Sequence, residues 1–242
     1  MKKSTLNILF WLTLFSIAMG FMETAVVVYL RKIYYPDGFR FPLVPIDNDI
    51  VLTEIIREAA TLIMLVGAGI FTGRNRSEKF GFFLYSFAIW DIFYYVFLKV
   101  LLDWPASLLT WDVLFLIPVT WVGPVIGPVS NSLTMIVFAL MLTWFVDKKA
   151  SVKIKLREWL FLISGSLVVI ISYTLDYSRY MVNAFGFSVL VGDNTNNGQT
   201  DVISYAAKYV PVNFDWWIFV LGEVLILMGV VLVFRRERKD IL

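Results

Sequence analysis

The sequence predicts an all-α fold: a polytopic, membrane-embedded helical bundle with six transmembrane helices and a re-entrant or interfacial segment ahead of the fourth. Three observations carry that prediction. Six long apolar runs, separated by short charged loops, take up most of the 242 residues. Hydrophobic residues make up 59% of the chain and charged residues 17%, against about 45–50% and 25% in soluble domains. Mean hydropathy is +0.76, more apolar than a soluble domain of this length tolerates.

A hydrocarbon layer about 30 Å thick takes about 20 apolar residues per helix. On that measure the spans fall at 6–30, 51–72, 80–102, 125–146, 158–176 and 214–234, within a single transmembrane domain over 1–242. The first follows Met1-Lys2-Lys3 and is too long for a signal-peptide core. No small-x-small cleavage pattern follows it, so it reads as a retained span. Ahead of the fourth span, Val113 to Val146 is almost continuously apolar, yet Pro118, Gly123, Pro124, Gly127 and Pro128 break its first half. Two readings stay open there. Either 113–122 is re-entrant or interfacial, shielded by protein, or the whole stretch is one long kinked helix. The residues 177–213 form the longest outer loop, with short interfacial helices around a polar turn. Within it, Asp193–Asp201 spaces its oxygen side chains like a calcium loop, but Ser204 stands where the closing Glu is required. A polar turn is the better reading.

Lys and Arg bias orients the bundle. With both termini cytoplasmic, fourteen of the 21 basic residues fall on inner segments, at Lys2–Lys3, Arg74–Lys79, Lys148–Arg157 and Arg235–Lys239. Arg31, Lys32, Arg40, Arg179 and Lys208 are left outside. The expected location is a plasma or inner membrane of prokaryotic type. Trp104, Trp111, Trp216 and Trp217 suit the aromatic belt of the outer interface.

The informative residues are the ionisable ones inside the spans, which are costly in lipid and need a partner or a wet cavity. Glu23 lies about 10 Å from the outer end of span one at 1.5 Å per residue. Thr13, Ser16 and Gly20 precede it as a small, polar stripe that faces another helix. In span two, Glu54 reads as an end cap in headgroup water, whereas Glu58 and Arg57 lie deeper. An acid, Glu23 or Glu58, is expected to hold Arg57. Asp91 sits near the midplane of span three, with Tyr95 and Lys99 above it at i+4 and i+8. That stripe reads as a relay, or as Asp91 bonded to a tyrosine with Lys99 snorkelling outward. Glu223 lies in span six beside Gly222, and Asp176 is placed to join the same rim. Four deep acids against two basic residues leave negative charge unmatched, which a proton or a cation resolves.

The candidate ion, proton or ligand residues are therefore Glu23, Arg57, Glu58, Asp91, Tyr95 and Glu223. The chain has no His and no Cys, which excludes thiolate and imidazole ligation of zinc, iron–sulfur clusters and haem. Oxygen-only sites leave Mg or Ca at the carboxylates as the open metal reading. A formal charge of +2 gives no reason to expect nucleic acid. The partners expected are the lipid bilayer and a second copy or another membrane subunit. The function that fits best is proton- or cation-linked transport or channel activity through an outer-half carboxylate cluster. Two alternatives stand beside it: a non-catalytic subunit or scaffold binding protein or lipid, and an intramembrane enzyme on a lipid-like substrate. Small size and the lack of an internal repeat weigh against a two-fold transporter architecture.

Overall fold

A computed structural model describes residues 1–149, 152–187, 189 and 199–239. It is a nearly all-α molecule with seven helices and one hairpin among the described residues: α1 Lys3–Tyr34, α2 Asn48–Thr72, α3 Arg76–Leu102, β1 Trp111–Phe115, β2 Trp121–Pro124, α4 Ile126–Lys149, α5 Leu156–Phe185, α6 Gln199–Ala207 and α7 Trp216–Lys239. Five helices, α1, α3, α4, α5 and α7, are long and apolar enough to cross a membrane. α2, predicted as the second span, is not among them; Glu54, Arg57 and Glu58 in its first half set it apart. By length and composition, then, five of the described helices qualify as spans. Large apolar side chains such as Phe71, Val100, Ile63 and Trp217 stand exposed on the outer helix faces. Water would penalise such a surface and lipid does not.

α3 is the centre of one group, packing against α1, α2 and α4. α1 meets it through a continuous stripe of Thr5, Leu9, Leu12, Ser16, Gly20, Thr24, Val28 and Arg31, spaced three or four apart as one helix face requires. Thr13 and Gly20 of the predicted small, polar stripe face α3, whereas Glu23 turns to α2. Thr13 bonds the Tyr85 hydroxyl at 2.8 Å and Thr24 donates to the Tyr94 carbonyl at 3.2 Å. α5 and α7 form a second group. A Cβ at Gly165 would lie 2.7 Å from the Gly222 carbonyl oxygen, so these two backbones meet only because neither residue has a side chain. α4 joins the groups, and Phe138, Leu142, Phe145, Leu162, Val230 and Val233 share one core between α4, α5 and α7.

One expectation is corrected. The stretch 113–122 is not the start of a long kinked helix. It belongs to an antiparallel hairpin that pairs Trp111 with Pro124, Asp112 with Gly123 and Val113 with Val122. Pro118 and Pro124 have no N–H for a helix, while the β-branched and aromatic neighbours favour strand. The hairpin supplies its own backbone partners and ties into the flanking chain, with Val125 N donating to the Thr110 carbonyl at 3.0 Å and Ile126 N to that of Leu108 at 2.8 Å. The helix that contains span five is longer than the span. α5 runs nine residues past the predicted 176, because Met181 is buried and Tyr180 stacks on Tyr205 of α6 at 4.7 Å. Aromatic packing carries the helix into the loop. Most of the polar turn read at 193–201 lies outside the described residues.

Candidate functional site

A cavity of about 400 Å³ lies between α1 and α2, over α3. The α1–α2 connection, the hairpin and the start of α4 close it, with Tyr177 of α5 and Ala206 and Ala207 of α6 at its rim. Most of its wall is apolar: Val27, Leu30, Val44, Ile46, Ile50 and Val51 belong to it. Into this wall project five acids, Glu23, Glu54, Glu58, Asp91 and Asp112, and two arginines, Arg31 and Arg57.

Arg57 is held as a fork. Its guanidinium pairs with Glu23 across the gap between the helices and with Glu54 one turn earlier, at 2.7 Å from Nη2 and 3.0 Å from Nε. Glu23 also accepts from Thr61 at 3.2 Å. Glu54, read from the sequence as an end cap, is also a partner of the half-buried Arg57. The partner of Glu58 is the hairpin, whose Leu116 N–H donates to it at 3.0 Å. Asp91 accepts from Ser132 of α4 at 2.8 Å. Neither Glu58 nor Asp91 forms an ion pair among the described residues.

Of the sequence-derived candidates, Glu23, Arg57, Glu58, Asp91 and Tyr95 line this one cavity. Glu223 does not. It accepts from Thr134 of α4 at 3.0 Å, and its Oε1 is buried with no hydrogen-bond partner. Asp176 is taken by the Tyr209 hydroxyl at 2.5 Å and does not line the cavity either. Lys99 lies at the end of α3 in an exposed pair with Asp103 at 2.6 Å, so the stripe from Asp91 through Tyr95 does not continue as a relay to it. Among the described residues no group of three or more acids is arranged to hold a metal ion.

Three further residues of the site escaped the sequence reading. Arg31, counted there as an outer-loop residue, is only 7% exposed in the last turn of α1. Its guanidinium sits 3.8 Å from the Trp104 ring centre and 4.3 Å from that of Phe39. Nη2 donates to Asp112 at 3.0 Å, while Nη1 is buried and unpartnered. Asp112 of β1 is 1% exposed, with Oδ2 unpartnered; burial pushes its carboxyl up to about 6 against the pull of Arg31. Trp90 of α3 is 6% exposed and its Nε1 also lacks an acceptor. The site is thus a mostly apolar chamber with surplus carboxylate, and three residues of its walls carry unanswered hydrogen-bonding atoms. No protein-family model, curated protein or solved structure matches the chain.

Proposed function

We propose that the protein is a membrane transport or channel protein that exchanges a proton or binds a small cation at the carboxylates of this cavity, Glu58 and Asp91 foremost. The observation that supports this reading is the charge imbalance in one enclosed space: five acids converge with two arginines, and Glu58 and Asp91 have no cationic partner. A buried carboxylate without a counter-charge is costly, and either a proton or a cation relieves it. Arg57 bridges the gap between α1 and α2, so it is suited to gate entry from the side. A single cavity is small for a complete pathway, and a second copy of the chain would supply the rest.

The same reading places α2 as a sixth span and both termini in the cytoplasm, as the distribution of Lys and Arg requires. The native chain has no cysteine, so single cysteines report cleanly. A cysteine at Asp37 should react with an impermeant maleimide from outside, and one at Lys153 only after permeabilisation. The reverse pattern would overturn the orientation.

Reconstituted vesicles test the activity. With imposed proton, sodium or potassium gradients, the wild-type protein should pass at least one of these ions, and Asp91→Asn should remain folded while losing that flux about tenfold or more. Flux no higher than in protein-free vesicles for all three ions would sink the proposal.

A further inference from the structure

We infer that the cavity binds a neutral amphiphile with a hydroxyl-bearing head and a single alkyl chain, the head being read by Arg31 Nη1, Trp90 Nε1 and Asp112 Oδ2. This rests on the cavity being the working site and names the class of molecule it takes. Three side chains, each more than nine-tenths buried, line the same space and each leaves one polar atom without a partner. Buried polar groups in folded proteins are almost always satisfied, so three orphans around one cavity mark a missing occupant. Two are donors and one is an acceptor when ionised. A hydroxyl answers both kinds, because it donates and accepts through one atom.

Charge selects among heads. A phosphate or carboxylate would accept from Arg31 and Trp90, but it would face five acids against two arginines. An ammonium would suit the acids and leave both orphaned donors unanswered, since it has no acceptor. A glycerol-like or sugar-like head meets the donors and the acceptor without adding charge. Glu58 and Asp91, each with one hydrogen bond, retain further accepting capacity for its hydroxyls.

Shape selects the tail. At about 30 Å³ per water-sized group, the cavity of about 400 Å³ holds a head and the first carbons of one chain, not a two-chain lipid. Val27, Leu30, Ile50 and Val51 line the path between α1 and α2. Those helices do not pack closely on each other, and Arg57 and Thr61 reach across to Glu23 instead. The remainder of a chain leaves through that gap toward lipid.

The test uses the full chain in a zwitterionic detergent without sugar heads, and three probes that share a twelve-carbon chain: monolauroylglycerol, dodecyl phosphate and dodecylammonium. Native mass spectrometry counts what stays bound. Monolauroylglycerol should bind one to one, at least tenfold more tightly than either charged probe. Trp90→Phe removes the N–H together with the five-membered part of the indole, keeps an aromatic ring, and should weaken it about fivefold or more in protein whose melting temperature is close to that of the wild type; Arg31→Met should do so further, and Lys99→Gln should not matter. If Arg31→Met fails to fold, Trp90→Phe still decides. Equal retention of all three probes, tighter binding of a charged one, no binding at all, or an unaffected Trp90→Phe would each overturn the inference. Binding without ion flux would instead overturn the transport reading alone, and flux without binding would overturn this one alone.

Discussion

At the basic end of the bundle, Asp147 accepts from the Lys2 backbone N–H at 2.6 Å, from Thr5 at 2.7 Å and from Arg74 at 3.3 Å. At the other end, Asp91 accepts from one serine and faces a cavity. The contrast is general. Glu78 is fully buried beside Asp147, yet Arg74 meets it with its backbone N–H at 2.7 Å and Nη2 at 2.6 Å. Glu158 is gripped by Arg236 Nε at 2.7 Å and Nη2 at 2.8 Å, and Glu237 takes Lys149 at 2.8 Å together with Arg236. These acids tie the start of α1, the α2–α3 turn, the end of α4, the start of α5 and the end of α7. Every buried polar side-chain atom without a partner among the described residues lies elsewhere: on the cavity, at Ser16 and Ser86 between α1 and α3, or at Trp121, Asn131 and Glu223 around α4, α5 and α7. One end spends its buried charge on holding helices together. The cavity leaves Arg31 Nη1, Trp90 Nε1 and Asp112 Oδ2 unanswered and two of its acids without a cation.

The largest expected effect is at the basic end. Glu158→Ala removes two bonds to Arg236 and the one from the Lys155 backbone N–H that starts α5. Removing one partner of a buried pair costs about 3–5 kcal/mol, which lowers the unfolding temperature in detergent by roughly 6–12 °C for a chain of this size. Glu58→Gln at the cavity end, where Leu116 N–H can donate to the amide oxygen instead, should cost less than about 1 kcal/mol. Thermal melts of the two variants check this. Equal losses would erase the distinction between the ends.

The next effect depends on pH and concerns Asp112. Its carboxyl is raised from the ordinary 3.8 to about 6, by burial first, with Arg31 pulling the other way. A carboxyl raised in the folded state keeps its proton where the unfolded chain has lost it. Below about 3.8 both states are protonated and nothing is lost. Between 3.8 and about 6 the folded state binds more protons, so stability falls as pH rises, and above 6 the loss is complete. Two pH units correspond to on the order of 3 kcal/mol. The melting temperature of the wild type, measured relative to Asp112→Asn, should therefore fall between pH 4 and 7 and level off. A difference that grows with pH would show that the Arg31 pair outweighs burial.

The stripe of Thr13, Ser16 and Gly20 marked the face of α1 that meets another helix, because helix geometry turns spacing into a face; that the other helix is α3 was not legible, since spacing on one helix names no partner. The deep acids stood out because lipid forbids them. Arg31 was missed, although it continues the buried series Gly20, Thr24, Val28 at the same spacing; its position near a helix end made a basic residue look like a loop charge. Asp112 gave no signal of that kind. Its burial depends on a hairpin whose partner strand lies nine or more residues on, and that pairing is fixed by tertiary contacts rather than by a local period. Trp90 read as one more apolar residue, because an indole N–H without an acceptor is visible only in three dimensions.

The smallest effect tests whether the cavity end has any structural strut, and it sets two basic side chains against each other. Arg57 bridges α1 and α2 through Glu23 and Glu54, all three largely buried, while Lys99 pairs with Asp103 where both are exposed. Exposed pairs contribute between about 0 and 1 kcal/mol, so Lys99→Gln should shift the melting temperature by no more than about 2 °C. Arg57→Gln leaves two half-buried carboxylates facing each other without a counter-charge. The pair is partly open to the cavity, which holds the cost to about 1–2 kcal/mol, below that of a fully enclosed pair. Arg57→Gln should therefore melt earlier than Lys99→Gln by a few degrees. Coincident melting of the two variants at neutral pH would mean that Arg57 holds nothing, and that α1 and α2 are kept in place by α3 alone.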